Sequence, residues 1–319
     1  MDLTHWAMPW IMLLFALGLT ILFGGGHYLV LGSSRIAKLL GIHPVIIGLT
    51  VVALGTSMPE FLVSLIAALK NKPDVALGNI VGSNISNIAL ILGLTALIRP
   101  MQVNKQILKF DLPIVAAASF LFWGLGFNRV MSHLDGVILS VMFILYLWLI
   151  TKRSQKHSRE NKDKTTEKRS GKSLLINSFF VILGIAGLTV GANWMVGSAT
   201  EISKRLGVPE LILGLTIVAL GTSLPELATC VVAALKKQGD IGIGNIVGSN
   251  LFNMLFIVGP VATIHRLPVA PDLITYNIPI MIGLTILLYP MLKTGHTLSR
   301  GEGGILLASY ILIVVWWVR

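Results

Sequence analysis

The stretch GLTVVALGTSMPE at residues 48–60 occurs again as GLTIVALGTSLPE at residues 214–226. Each copy places a single glutamate, Glu60 or Glu226, in an otherwise apolar segment that also contains a proline. A close repeat that carries its polar residues along indicates a site built from two related halves of one chain. The fold and the function are therefore both expected to follow from this pair.

The spacing between the copies is constant along the chain. GNIVGSN at residues 78–84 returns at residues 244–250, and the offset of 166 residues is the same as for the first motif (214 − 48 and 244 − 78). Segments 48–93 and 214–259 are identical at 26 of 46 aligned positions. We therefore align the two halves by this offset throughout.

The composition is that of a polytopic membrane protein. Of 319 residues 54% are hydrophobic and 12% charged, and the mean hydropathy is +0.81, values that exclude an ordinary soluble domain. The first apolar run follows Asp2 and His5 rather than a basic region, so we expect it to be retained and not cleaved as a signal peptide. Apolar runs of about 18 to 25 residues predict ten spans: 8–31, 43–69, 75–98, 108–127, 134–151, 174–199, 209–235, 241–264, 272–292 and 303–318.

Five spans precede the polar stretch 152–173 and five follow it. An odd number per repeat inserts the second copy upside down relative to the first. The prediction is an all-α polytopic membrane protein of ten transmembrane helices, arranged as two inverted five-helix repeats at 1–151 and 174–319. In such a pair the second and third spans of each half meet near the midplane, which would bring Glu60 and Glu226 together.

Loop charges predict the orientation. Residues 151–172 hold nine basic and three acidic residues, and alternation of ten spans places 18 Lys and Arg on the side of this loop against 7 on the other. By the positive-inside rule the 152–173 loop is cytoplasmic and both termini face outside, in the inner (plasma) membrane of a bacterium. The loop is interpreted as a solvated linker, and no nucleic-acid partner is expected.

Polar residues in the first motif share one helix face. Ala53, Ser57 and Glu60 recur at three- and four-residue spacing, and Thr56 lies beside them. Pro59 has no N–H, so preceding carbonyls lose their helical partners and must bind something else in a bilayer. Carboxylate, hydroxyl and carbonyl oxygens suit hard cations such as Ca²⁺ or Na⁺. The second copy supplies the same set: Ala219, Thr222, Ser223, Pro225 and Glu226.

The next helix of each half adds amides and a hydroxyl at four-residue spacing. These residues are Asn79, Ser83 and Asn87 in the first half and Asn245, Ser249 and Asn253 in the second. Each, taken singly, fits an interhelical hydrogen bond as well as an ion ligand. The glutamates differ, since an acidic residue at the centre of a membrane helix costs about 2.5 to 3.5 kcal/mol, which a purely structural role does not justify.

Other polar residues carry less weight. His27 is expected to be a packed neutral histidine, while Asp111 and Glu210 are expected to complement helix N-termini. No histidine or lysine recurs beside the serines of the two motifs, so hydrolase chemistry is not indicated. A nucleotide-binding loop motif is also absent from the sequence. Cys230 is the single cysteine, which excludes an intrachain disulfide.

With these motifs the chain resembles the sodium/calcium exchanger family of cation antiporters in its compact prokaryotic form, and segments 48–93 and 214–259 resemble its alpha repeats. The resemblance implies that Glu60 and Glu226 bind Ca²⁺ with the backbone or hydroxyls at Thr56 and Thr222. It implies sodium sites made with the glutamates from Ala53, Ser57, Ser83, Ala219, Ser223 and Ser249. It also implies that the glycine-rich first helices, around Gly25 and Gly191, act as a sliding gate.

The expected function is antiport of Na⁺ against Ca²⁺ by alternating access, normally extruding Ca²⁺, without cofactor or enzymatic activity and as a monomer in the bilayer. Some relatives have an aspartate where this chain has Asn253, and Asn87 is neutral too, so potassium co-transport is not expected. A Ca²⁺/H⁺ antiporter is the alternative of the same class, because protons also neutralise carboxylates. A cation channel with an acidic constriction comes third and an intramembrane enzyme last.

Overall fold

Backbone N–H and C=O groups in a bilayer must be satisfied within the protein, which favours helices. The computed structural model describes residues 3–160, 171–206 and 219–318, and these residues are mostly helical. The helices are α1 Met8–Leu40, α2 Pro44–Thr56, α3 Met58–Leu69, α4 Pro73–Ile98, α5 Ile107–Gly126, α6 His133–Glu160, α7 Gly171–Arg205, α8 Ala219–Thr222, α9 Leu224–Leu235, α10 Gly239–Ile264, α11 Leu273–Lys293 and α12 Arg300–Val318.

Within the described part, eight helices are long and apolar enough to cross a membrane: α1, α4, α5, α6, α7, α10, α11 and α12. The pair α2 and α3, bent by 46°, makes a ninth crossing if it is counted as one span. The protein is thus a multi-pass membrane protein. The predicted span 209–235 falls partly on 207–218, which lie outside the described residues, and only α8 and α9 of it are described.

Most predicted spans agree with the helices, and several helices extend beyond the apolar runs. Helix α1 runs to Leu40 rather than to residue 31, and ends where Gly41 adopts φ 66°. Helices α6 and α7 run through Glu160 and from Gly171, so both enter the segment 152–173 that was predicted as a loop. Hydropathy reports where the chain leaves the apolar layer, whereas a helix of Lys, Arg, Glu and Gln continues readily in water.

Five π-helical segments interrupt the described helices, and four of them repeat at the 166-residue offset. Ser86–Leu92 corresponds to Phe252–Ile257, and Ile107–Asp111 corresponds to Leu273–Asn277. The fifth, Gly48–Val52, lies in α2 before the GTS sequence. Such segments occur often at functional sites, and two of these contain Asn87 or Asn253.

Helices α4 and α10 form the centre of the molecule. In their apolar windows 78% and 94% of residues are buried, against 22–44% in the other spanning helices. Both helices carry a GNIVGSN sequence, whose small residues allow close approach and whose polar side chains would be costly to expose to lipid. The polar helices therefore lie inside and the more apolar helices surround them.

Helices α1 and α7 pack against each other antiparallel through glycines. A Cβ on Gly25 would lie 2.5 Å from Leu188 N, and one on Gly191 would lie 2.5 Å from Leu22 N. Gly32 similarly faces the backbone of Asn177 at 2.6 Å. The two helices that the sequence aligns as the first of each half thus share one long backbone-to-backbone contact.

Loops on one face of the molecule, here called face 1, are joined by hydrogen bonds. Strands β1 Met101–Gln102 and β4 Thr297–Leu298 pair antiparallel. Arg99 Nη1 donates to Leu235 O over 3.0 Å, and Asn104 Nδ2 lies 2.8 Å from His43 Nε2. The segments after α1, α4, α9 and α11 therefore lie on the same side.

A second group of segments forms face 2. Strands β2 Val130–Met131 and β3 Leu267–Pro268 pair antiparallel, and His133 Nδ1 lies 2.9 Å from Thr263 O. Arg205 Nη2 donates to Leu3 O over 3.1 Å, which places the end of α7 beside the N-terminal segment. Helices α5 and α10 each begin at a segment of face 1 and end at a segment of face 2, and α11 runs the opposite way.

The glycine contact predicts opposite effects at adjacent positions. Gly25→Ala should lower the free energy of unfolding by about 1–3 kcal/mol, because the methyl group would overlap the α7 backbone. Gly24→Ala is the matched control, since no described residue lies within 4 Å of its Cβ position and alanine favours helix by about 1 kcal/mol. Thermal unfolding in detergent would measure both, and a Gly25→Ala protein as stable as Gly24→Ala would contradict the packing described.

Candidate ion-binding site

Each motif proline creates a break in a helix at the serine two residues before it. Ser57 (φ −85°, ψ 6°) separates α2 from α3, and Ser223 (φ −88°, ψ 6°) separates α8 from α9. Pro59 takes a first-turn position of the new helix, where its missing N–H is tolerated. Glu60 and Glu226 consequently lie in the first turns of α3 and α9, where the helix dipole favours negative charge.

The two glutamates are buried and bound reciprocally by serines. Both side chains are 1% exposed. Glu226 Oε1 accepts from Ser57 Oγ at 2.9 Å and from Ser249 Oγ at 3.2 Å. Glu60 Oε1 accepts from Ser223 Oγ at 3.2 Å and from Ser83 Oγ at 3.5 Å. Each carboxylate is thus held by one serine of its own half and one of the other.

Four side-chain oxygens of the predicted site residues have no protein donor among the described residues. Glu60 Oε2 and Glu226 Oε2 are buried without a hydrogen-bond partner, as are Asn87 Oδ1 and Asn253 Oδ1. A buried acceptor without a donor is costly, and a buried carboxylate more so. Four such oxygens in one apolar interior suit a ligand that brings positive charge.

Asparagines cross-link α4 and α10 behind the carboxylates. Asn87 Nδ2 donates to Asn250 Oδ1 over 3.0 Å, and Asn253 Nδ2 donates to Asn84 Oδ1 over 2.9 Å. Asn84 Nδ2 also donates to Asn250 O over 3.3 Å. These amide donors turn the Asn87 and Asn253 carbonyls away from their partners, so that Oδ1 is the atom left available.

Asn84 and Asn250 were missed as site residues by sequence reasoning. The signal was present, because both asparagines end the repeated GNIVGSN sequence. They escaped notice because they lie one residue off the four-residue spacing that Asn79, Ser83 and Asn87 share. Only the packing of α4 against α10 turns them toward each other.

The structure buries the predicted site residues whose side chains it describes, and hydrogen bonds join the serines to the glutamates. Thr56, Thr222, Ser57, Ser223, Ser83, Ser249, Asn87 and Asn253 are all buried, each 9% exposed or less, as are the two glutamates. Ala53 is fully buried, and its carbonyl accepts from Ser57 N at 3.0 Å. The side chain of Ala219 lies outside what the structure describes, although its backbone begins α8.

Two of the weaker expectations are wrong, and one falls outside the described residues. Asp111 does not complement a helix N-terminus, because it is the fifth residue of α5. Its side chain is fully buried, and its Oδ1 lies 3.1 Å from Arg153 Nη1. His27 is exposed on the surface of α1 and not packed in the core, and its ring contacts Tyr28 at 5.6 Å. Glu210 lies in the segment 207–218.

The donor set is one of oxygens. Among the described residues no group of three or more His, Cys, Asp or Glu side chains could hold a metal ion. The anionic part of the site is therefore two glutamates, supplemented by hydroxyl and amide oxygens. This chemistry matches hard cations and not zinc or copper.

The chain matches the sodium/calcium exchanger protein family over residues 10–152 and 176–319, one match for each half. It belongs to that family. Sodium/calcium exchangers are transporters, and cation antiport with calcium is accordingly the activity of the family. The match covers both copies of the motif and both glutamates.

Individual proteins align along nearly the whole chain. Inner membrane protein YrbG of Escherichia coli K12 is 34% identical, with 96% of each chain covered. Sodium/calcium exchanger MaX1 of Methanosarcina acetivorans is 32% identical, with 96% of this chain and 98% of that protein covered. The solved structure of the sodium-calcium exchanger NCX_Mj without Na⁺ and Ca²⁺ has a TM-score of 0.85 at 31% identity, covering 98% of this chain and 100% of the other.

The asparagine cross-link predicts a stability effect. Asn84→Ala removes a donor to Asn250 and the acceptor of Asn253, so the free energy of unfolding should fall by about 1–3 kcal/mol. Thr20→Ala is the control, because the Thr20 hydroxyl is exposed and bonds only within its own helix, to Ala16 O. Equal melting temperatures of the two variants in detergent would argue against the cross-link.

Proposed function

We propose that this chain exchanges Na⁺ for Ca²⁺ across the membrane by alternating access and normally extrudes Ca²⁺ as Na⁺ enters. The observation that carries the proposal is the pair of buried glutamates, each with one oxygen bound by serines of both halves and one oxygen without a donor among the described residues. Two carboxylates are neutralised by one Ca²⁺ or by two Na⁺. The two loads therefore compete for the same charge.

The proposed ligands are the glutamates and the oxygens around them. They comprise Glu60, Glu226, Thr56, Thr222, Ser57, Ser223, Ser83, Ser249, Asn87 and Asn253, with the backbone carbonyls of Ala53 and Ala219. The unpartnered Oδ1 atoms of Asn87 and Asn253 support their assignment. Because both are neutral amides, K⁺ is not proposed as a co-substrate.

A proton-coupled Ca²⁺ antiporter is the second candidate, since a proton on each glutamate would also remove the charge. The oxygen-rich surroundings favour sodium, because a proton needs one acceptor whereas Na⁺ and Ca²⁺ need several oxygens at once. The name of MaX1 as a sodium/calcium exchanger agrees with this choice. A channel is less favoured, because the site lies within one chain and needs no assembly around an axis; the same fact supports function as a monomer.

The architecture proposed for this activity is ten helices in two inverted five-helix repeats, at 1–151 and 174–319, joined by 152–173. The reciprocal contacts of the glutamates and the recurrence of π-helical segments at one offset support the two-fold relation. Arg205 lies at face 2 and Leu235 at face 1, which supports a tenth crossing between them. Face 1 would be cytoplasmic because it carries the larger number of basic residues, and both termini would then be outside.

Helices α1 and α7 are proposed as the moving part. Glycines line the contact between α1 and α7. Helix α1 also contacts the glutamate-bearing α9 at Gly26, whose Cβ position lies 3.3 Å from Ala228 O. A contact without interlocking side chains permits sliding with little change in packing. The cation site on α2, α3, α4, α8, α9 and α10 would stay fixed while this pair exposes it to one face and then the other.

Loss of either carboxylate should abolish exchange. In Glu60→Gln or Glu226→Gln the remaining glutamate leaves Ca²⁺ with uncompensated charge, and Na⁺-driven Ca²⁺ uptake should fall about 100-fold or more. Glu201→Gln is the control, since Glu201 pairs with Arg205 at the surface. ⁴⁵Ca uptake into proteoliposomes measures all three; near-normal uptake by either site variant would refute the shared site.

The driving ion is tested separately. In the unchanged protein, ⁴⁵Ca efflux from proteoliposomes should require external Na⁺ and should not respond to K⁺. A pH gradient alone should not sustain it, because the site is proposed to exchange metal ions and not protons. Flux driven by protons without Na⁺ would replace this proposal by the Ca²⁺/H⁺ alternative.

A further inference from the structure

We propose that Asn79 and Asn245 are positioning residues, each of which orients a threonine hydroxyl of the opposite half of the chain toward the transported cation. We further propose that the residue behind each amide decides how firmly that hydroxyl is held, and that it does so unequally in the two halves. The inference rests on the proposed function, because it concerns ligands of the same site.

The threonine hydroxyls donate to these amides. Thr56 Oγ1 donates to Asn245 Oδ1 over 3.0 Å, with Ala53 O a longer alternative acceptor at 3.4 Å, and Thr222 Oγ1 donates to Asn79 Oδ1 over 3.3 Å. A hydroxyl has one proton and two lone pairs. When its proton is given to an amide carbonyl, the lone pairs are what it offers to a cation. If the amide turned over, its NH₂ would occupy that place and the hydroxyl proton would point elsewhere, in competition with the cation.

In the first half the amide is held in the useful orientation. Asn79 Nδ2 donates to Ser64 Oγ over 3.0 Å and to Glu60 O over 3.3 Å. Ser64 Oγ gives its own proton to Ala76 O over 3.2 Å, so its oxygen is an acceptor for Asn79. The NH₂ of Asn79 is therefore fixed on the side away from Thr222.

In the second half the corresponding acceptor is missing. The 166-residue offset places Cys230 at the position of Ser64 and Gly242 at that of Ala76. The sulfur lies against Gly242, 3.4 Å from the Cβ position of that glycine. Asn245 is fully buried, and its Nδ2 has no hydrogen-bond partner among the described residues. Thiol sulfur is a weak acceptor, so Asn245 is fixed only through its carbonyl.

The two half-sites therefore differ in the atom behind the amide, which is a hydroxyl oxygen in the first half and a thiol sulfur in the second. The Thr222 hydroxyl faces an amide with three hydrogen bonds, and the Thr56 hydroxyl faces an amide with one. An amide with fewer hydrogen bonds reorients more readily. Cation binding must then also fix the orientation of the amide, and this ordering costs binding free energy. We infer that the Thr56 side binds the cation less tightly than a serine at position 230 would allow, and that Cys230 lowers the affinity of the whole site for Ca²⁺.

The test compares Ca²⁺ affinity in matched variants of the full chain. Cys230→Ser restores the acceptor and should lower the Ca²⁺ dissociation constant about 2- to 10-fold, the effect of one neutral hydrogen bond. Ser64→Ala removes the acceptor of the first half and should raise the constant by a similar factor. Cys230→Ala is the control, because neither a thiol nor a methyl group holds Asn245, and its constant should stay within about twofold of the unchanged protein.

Equilibrium ⁴⁵Ca binding to purified protein gives the constants, and vesicle exchange gives the Ca²⁺ concentration at half-maximal rate. If Cys230 acts on the orientation of Asn245, Cys230→Ser lowers both the Ca²⁺ dissociation constant and the Ca²⁺ concentration at half-maximal rate. If Cys230 acts only through packing, the substitution changes the melting temperature measured without Ca²⁺ and leaves both of these Ca²⁺ constants unchanged. Equal constants in Cys230→Ser, Cys230→Ala and the unchanged protein would overturn the inference. Absence of Na⁺-driven Ca²⁺ flux in the unchanged protein would instead overturn the proposed function, and the inference with it.

Discussion

Two like charges inside an apolar helix bundle are the constraint on which the rest of the molecule depends. The carboxylates of Glu60 and Glu226 are almost fully buried, and among the described residues their hydrogen-bond donors are serines and not basic side chains. In a low dielectric such a pair is stable only with a cation or protons. The fold supplies hydroxyl and amide oxygens around the pair, and these oxygens decide which cations can serve.

The helix breaks and the polar central helices meet this constraint together. Breaks at Ser57 and Ser223 put each glutamate at a helix start, where free N–H groups favour its charge, and free the serine hydroxyls to cross to the other half. Helices α4 and α10 then bring amides to the same place, with their π-helical segments at Asn87 and Asn253. The outer helices keep lipid away from these groups, and glycines bring the backbones of α1 and α7 into direct contact.

The two halves have the same hydroxyl residues around the glutamates and differ at other buried positions. Serines at 57, 83, 223 and 249 and threonines at 56 and 222 are matched across the repeat, so the two halves place the same hydroxyl groups around the two glutamates. Ser64 and Cys230 are not matched, and neither are Asp111 and its counterpart Asn277, which accepts from Trp317 Nε1 at 2.7 Å. Of these two differences, the one between Ser64 and Cys230 is the basis of the proposed inequality of the two half-sites.

The sequence by itself determined the membrane class, most span positions, the two-fold repeat and the pair of glutamates with their hydroxyl neighbours. These follow from local rules, because hydropathy, proline breaks and four-residue spacing act within one segment. The tertiary structure decided what depends on two distant segments meeting: the cross-link of Asn84 with Asn250 and Asn253, the ion pair of Asp111 with Arg153, and the serine that each glutamate receives from the other half. The tertiary structure also decided the π-helical segments. Packing between helices selects an extra residue in a helical turn, and the periodicity of a single stretch of sequence does not reveal it.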